Sequence, residues 1–96
     1  MKHTNSLDLL LLSPEDNCLV ACRHLPAGTK VILDGHAVVL PQAVPLGYKV
    51  ARHAMPAEQV VWRYGALIGS TTQAVQAGEL LHLHNLKSHY LPHVKH

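Results

Sequence analysis

Two histidines one residue apart, His82 and His84, stand in the segment Leu81-His82-Leu83-His84-Asn85, where apolar and polar residues alternate. In a β-strand residues i and i+2 share a face, with Cα atoms about 6.5 Å apart, so a strand here turns both imidazoles toward one ion or substrate. Imidazole is the commonest metal ligand and the side chain most easily poised for proton transfer near neutral pH. The same alternation also describes a half-buried strand with one polar face, and the pattern leaves both readings open. Cys18 and Cys22 form a lone C-x3-C without a second ligand pair, a weak zinc signal. On a strand over 18–22 both thiols lie on one face about 13 Å apart, too far for a disulfide, and are expected to be small core residues in a reducing compartment. Asp16-Asn17 reads as an Asx-type turn or a cap. His24, His36 and His53 sit near turns and read as surface residues.

The elements that must position these groups are short. Gly and Pro recur at close intervals, among them Pro26-Ala27-Gly28, Asp34-Gly35, Pro45-Leu46-Gly47, Gly65, Gly69 and Gly78. The apolar runs between them have strand length, and no window suits a long amphipathic helix. An all-β domain follows, with strands expected over 7–12, 18–22, 30–33, 36–40, 48–51, 60–64, 66–70 and 80–85. One-turn helices are expected at Asp16, 52–56 and 72–76. Asp34-Gly35 is the clearest hairpin turn, because both residue types tolerate positive φ. The segments starting at Pro26, Pro45, Pro56 and Gln76 echo one another as turns that launch strands, at spacings that read as irregular. The domain is expected to occupy 1–86, and 87–96 to form a polar His/Lys tail containing His89, His93 and His96.

Ninety-six residues support one core. With no Phe, one Trp and three Tyr, that core must be aliphatic. The net charge of +2 carries no basic run and few aromatics, which argues against nucleic acid and favours small anions as ligands. The Leu-rich run over 9–12 is too short for a signal peptide, no stretch reaches membrane-spanning length, and a cytoplasmic location is expected.

Several motifs in order carry a more specific signal: Asp16-Asn17, Pro26-Ala27-Gly28, Gly47-Tyr48-Lys49-Val50-Ala51, Tyr64-Gly65, Ile68-Gly69, and Gly78 followed by His82-Leu83-His84-Asn85. Together they resemble the N-terminal domain of the altronate and galactarate dehydratase family, a SAF-type β-clip, from about Leu12 to Leu86. In full-length members this domain precedes a much larger catalytic region. The resemblance therefore implies a separate small subunit, as in two-subunit members such as the sulfolactate sulfo-lyases, partnered by a large catalytic subunit and inactive without it.

The implied reaction is elimination from a small acidic substrate, a sugar acid or sulfolactate, assisted by a divalent metal (iron, manganese or magnesium). The resemblance assigns His82 and His84 as metal ligands or the acid, and Lys49 as a catalytic and substrate-binding cation. Tyr48, Arg63 and Asn85 complete the expected substrate contacts. Arg52 could also hold an acidic group, but it reads better as a solvated charge; Asn85 could equally fix an imidazole tautomer or close a turn. Tyr48 stands where relatives commonly carry His, and Arg63 where they carry Lys before Tyr-Gly. Gly47, Gly65, Gly69 and Gly78 are expected at positive φ or at close backbone approaches. Two imidazoles leave a metal short of ligands, and the chain is small for a sugar-acid pocket, so the site is expected to be shared. The alternatives are a non-catalytic β-clip module that binds a carbohydrate or small anion, and a homo-oligomeric metal-binding protein.

Overall fold

A computed structural model describes residues 8–88. Nine short strands are present: β1 (Leu9–Leu10), β2 (Cys18–Ala21), β3 (Lys30–Leu33), β4 (His36–Val39), β5 (Lys49–Ala51), β6 (Val60–Arg63), β7 (Ala66–Thr71), β8 (Leu80–Leu81) and β9 (Leu86–Ser88). They form an antiparallel sheet β1-β2-β5-β8, a two-stranded hairpin β3-β4 and a three-stranded sheet β6-β7-β9. This is the all-β, β-clip architecture expected. No helix among the described residues is long and apolar enough to cross a membrane.

The chain course from β2 through β4 recurs from β5 through β7. Leu25 bridges Val44 in the first repeat and Met55 bridges Val75 in the second, offsets of 30 and 31 residues. Gly47 donates its N–H to Ala21 O, and Gly78 donates its own to Ala51 O. The hairpin turns match as well: Asp34 and Gly35 have φ of 50° and 82°, Tyr64 and Gly65 of 57° and 74°. The extra residue is Ile68. The pairings Val61↔Gly69 and Trp62↔Leu67 leave it as a bulge in β7, and the sequence echoes look irregular because two similar turns alternate within each repeat.

Each repeat fills one aliphatic core. Leu25, Val31, Leu33, Leu40, Val44 and Val50 belong to the first. The second gathers Cys18, Ala51, Met55, Val61, Val75 and Leu81, with Ile68 and Leu86 packed against it.

Several expectations change. The one-turn helices at 16, 52–56 and 72–76 do not form: the Asp16 N–H closes a single turn on Ser13 O, and Met55 and Val75 are extended and bridge each other. The strand expected over 80–85 ends at Leu81. The supposed tail begins with a strand, since β9 pairs with β7; a Cβ on Gly69 would overlap the Lys87 carbonyl, so glycine permits this approach. His89, His93 and His96 lie outside the described residues. Only Cys18 is a core thiol, whereas Cys22 follows the end of β2 and is exposed.

Candidate functional site

The histidine segment is a turn, and Asn85 makes it one. Its Oδ1 accepts the His82 N–H at 2.9 Å, and its Nδ2 donates to Leu80 O at 2.8 Å. The N–H groups of Asn85 and Leu86 both return to His82 O. The side chain is fully buried and both amide atoms are spent on backbone, so Asn85 shapes the turn. His82 and His84 project from the turn as exposed residues, and the strand geometry that placed them on one face does not apply. The His82 ring packs against Tyr48, with centroids 4.9 Å apart and planes at 33°. His82 is thus held through its backbone by Asn85 and through its ring by Tyr48. Among the described residues no three His, Cys, Asp or Glu gather as metal ligands, so these residues do not by themselves make a complete metal site.

Lys49 and Arg63 meet elsewhere. Lys49 from β5 and Arg63 from the end of β6 line an open groove of about 470 Å³ with Ala66, Leu67, Ile68, Leu86 and Ser88. Among the described residues the ion pairs are Arg23–Asp8 and Arg52–Asp34, which leaves both groove cations without a carboxylate partner. Cys18 is close enough to feel both charges. Its burial, reinforced by the Asp16 carboxylate, nevertheless pushes the thiol up to about 11. Tyr48 immediately precedes Lys49, the first residue of β5, so the Tyr48–His82 pair and the cationic groove both reach the start of that strand.

Comparison of the repeats brings out how unusual the groove is. The positions of Lys49 and Arg63 are occupied in the first repeat by Leu19 and Leu33, 30 residues earlier. Those leucines line a smaller groove of about 280 Å³ with Leu9, Leu10, Leu11 and Ile32, and with the Asp34–Arg52 ion pair at its edge. Matching backbone therefore carries leucine at both positions in one repeat and, in the other, two cations without a carboxylate partner among the described residues. Cations against apolar walls suit an acidic ligand, because low-dielectric surroundings strengthen their attraction to it.

Arg52 is not the solvated charge expected from the sequence. Its guanidinium donates to the carbonyls of Pro14 and Asp16 at 3.1 and 2.8 Å and to the Asp34 carboxylate at 2.9 Å, tying the 13–17 loop to the first hairpin turn. Asp16 and Asn17 hold the second hairpin: Asn17 accepts from Trp62 N–H and donates to Val60 O, both at 2.8 Å. No local pattern marks Arg52, whose partners lie 18 to 38 residues away. The adjacency of Asp16 and Asn17 was the signal for their structural job.

The chain resembles enzymes and an enzyme subunit. It is 36% identical over 73 residues to altronate dehydratase of Escherichia coli (strain K12), covering 76% of this chain and 15% of that one. To altronate dehydratase of Bacillus subtilis (strain 168) it is 28% identical over 74 residues, covering 77% and 15%. To (2R)-sulfolactate sulfo-lyase subunit alpha of Chromohalobacter salexigens it is 35% identical over 46 residues, 48% of this chain and 49% of the relative. The chain therefore spans about one-seventh of the dehydratases and half of the sulfo-lyase subunit. The model of the altronate/galactarate dehydratase SAF domain matches residues 7–89, and the chain belongs to that family.

Proposed function

We propose that this chain is the small subunit of a cytoplasmic lyase of the dehydratase type, acting with a larger catalytic chain on altronate, galactarate or a related sugar acid, or on sulfolactate. The observation that carries the proposal is the replacement of the repeat-equivalent Leu19 and Leu33 by Lys49 and Arg63 on an open groove. In such an elimination a base removes the proton from the carbon beside the carboxylate, and hydroxide, or sulfite from sulfolactate, departs from the next carbon. Lys49 and Arg63 hold the acidic group by charge-assisted hydrogen bonds and oppose the negative charge that develops beside it. The exposed His82 and His84 are this chain's share of a composite site. A divalent metal, iron, manganese or magnesium, would polarise the carboxylate there, with its remaining donors supplied by the larger chain.

The test is co-expression with a dehydratase-type large chain, sought in the reading frames adjacent to this one, followed by turnover assays on altronate, galactarate and sulfolactate with and without divalent metal. Turnover by the pair and none by the chain in isolation is expected. A chain that recruits no partner, yet binds a sugar acid without converting it, would instead be a non-catalytic binding module.

A further inference from the structure

The two repeats end in equivalent turns with opposite environments. The Ala77-Gly78 turn is covered: Ala77 packs against the first core, and a Cβ on Gly78 would meet Val38 Cγ1 at 2.7 Å and Leu40 Cδ2 at 3.4 Å. The inner face of the β3-β4 hairpin supplies that cover. The matching turn, 31 residues earlier, is Leu46-Gly47. Leu46 is 66% exposed, and none of the described residues comes within 4 Å of a Cβ built on Gly47. Tyr48 follows at 37% exposure and touches His82, which precedes Leu83 at 85%. Two bare turns are thus joined by the Tyr48–His82 contact into one apolar rim around the candidate catalytic imidazole.

We propose that this rim, Leu46, Tyr48 and Leu83, is the face on which the large catalytic subunit docks, through a β-hairpin with an aliphatic inner face; the proposal rests on the small-subunit reading above. The covered twin shows what fits such a turn, because a hairpin bearing Leu33, Val38 and Leu40 already sits on Ala77-Gly78. A second copy of this chain is a poor occupant. Its β3-β4 face holds its own Gly78 turn, and its β6-β7 hairpin is closed at Gly69 by β9. The dehydratase relatives, by contrast, carry most of their length beyond the segment matched here. Docking at this rim places His82 at the subunit boundary, where an incomplete ligand set can be completed.

The experiment uses the full chain co-expressed with the large chain sought above, as wild type and as Leu46→Glu, Leu83→Glu and the double variant. Both leucines are exposed, so the isolated variants should melt with the wild type. Each single variant is expected to weaken assembly about tenfold or more. Amide exchange in the wild-type complex should slow over 45–48 and 82–85 and stay unchanged over 34–37. Wild-type assembly undisturbed by the double variant would overturn the docking face and leave the subunit reading standing. A wild-type chain that dimerises by itself, and is split by Leu46→Glu, would put a second copy on the rim and overturn the proposal. A wild-type chain that never joins the large subunit overturns the small-subunit reading and this face with it.

Discussion

The Asp16 carboxylate accepts a hydrogen bond from the Gly65 N–H at 2.9 Å, and its second oxygen takes the N–H of Tyr64. One buried side chain thereby caps the turn of a hairpin 49 residues away. The cap matters because Tyr64 holds φ at 57°, a left-handed conformation that costs a residue with a bulky side chain about 1 kcal/mol. Its repeat mate, Asp34, is a residue type that tolerates this region. Asp16→Ala should lower unfolding free energy by about 2 kcal/mol, the cost of two amides losing a charged acceptor, and Asp16→Asn by less. Tyr64→Asn should raise stability by about 0.5 to 1 kcal/mol by relieving the turn. Urea unfolding of the three variants checks all of this.

Arg52 joins three chain segments through one planar group, donating to Pro14 O, Asp16 O and Asp34. An ammonium cannot reproduce that fork. Arg52→Lys should therefore lose nearly as much stability as Arg52→Met, about 1 to 3 kcal/mol, because two loop carbonyls lose a charged donor. Thermal unfolding of the pair of variants decides the matter, and a full rescue by lysine would show that charge, not geometry, is what the site needs.

The hairpin at Asp34-Gly35 was legible because its turn chemistry is local: both residues must accept positive φ, and both do. The His82 turn was not. Four alternating residues read as strand, and only the return of the Asn85 amide to Leu80 O and His82 N–H distinguishes them from one. The repeat was hidden because each copy carries two similar turns, at Pro26 and Pro45 and again at Pro56 and Gln76, so successive echoes fall 19, 11 and 20 residues apart and the bulged Ile68 alters only the last by one. Without that register, Lys49 and Arg63 could not be seen to replace leucines. Among the expected site residues, Lys49 joined Arg63 and Tyr48 joined His82, pairings that depend on which strands meet in space.

The groove makes a prediction for the isolated chain. Replacing Lys49 or Arg63 by the leucine of the first repeat should leave the fold intact, since matching backbone already carries leucine at both places. Binding of galactarate, followed by NMR at groove residues such as Leu67 and Ile68, should weaken about tenfold or more with each substitution. Equal binding by wild type and the double variant would remove the groove from the site.

His82 and His84 differ in how they are held, and the difference can be measured. Only His82 has a ring partner, Tyr48 at 4.9 Å. Tyr48→Phe should preserve the position of the His82 ring signals in the NMR spectrum, whereas Tyr48→Ala should shift and broaden them and leave His84 unchanged. In the reconstituted lyase, His82→Ala and His84→Ala should each reduce kcat/KM by about a hundredfold or more without changing Tm. If His82→Ala alone is inactive, the ring held by Tyr48 is the working imidazole; full activity in both variants would remove the histidine turn from the chemistry.

Cys18 gives the fold a pH limit on the alkaline side. Burial is the main cause that lifts its thiol from the ordinary 9.0 to about 11, and its Sγ donates to Trp62 O at 3.4 Å. Below pH 9 the thiol is protonated in both states and its contribution is complete. Between pH 9 and 11 the unfolded chain releases the proton first, so stability falls by roughly 2 to 3 kcal/mol and then levels off. Cys18→Ala starts from lower stability because it opens a small cavity, but its unfolding free energy should lack this extra decline. The measurement is urea unfolding of both proteins from pH 7.5 to 11: the gap between them should narrow as pH rises, since all other titrating groups are shared. Thiol labelling at pH 8 supplies the kinetic counterpart, with exposed Cys22 reacting quickly and Cys18 only as fast as the protein opens.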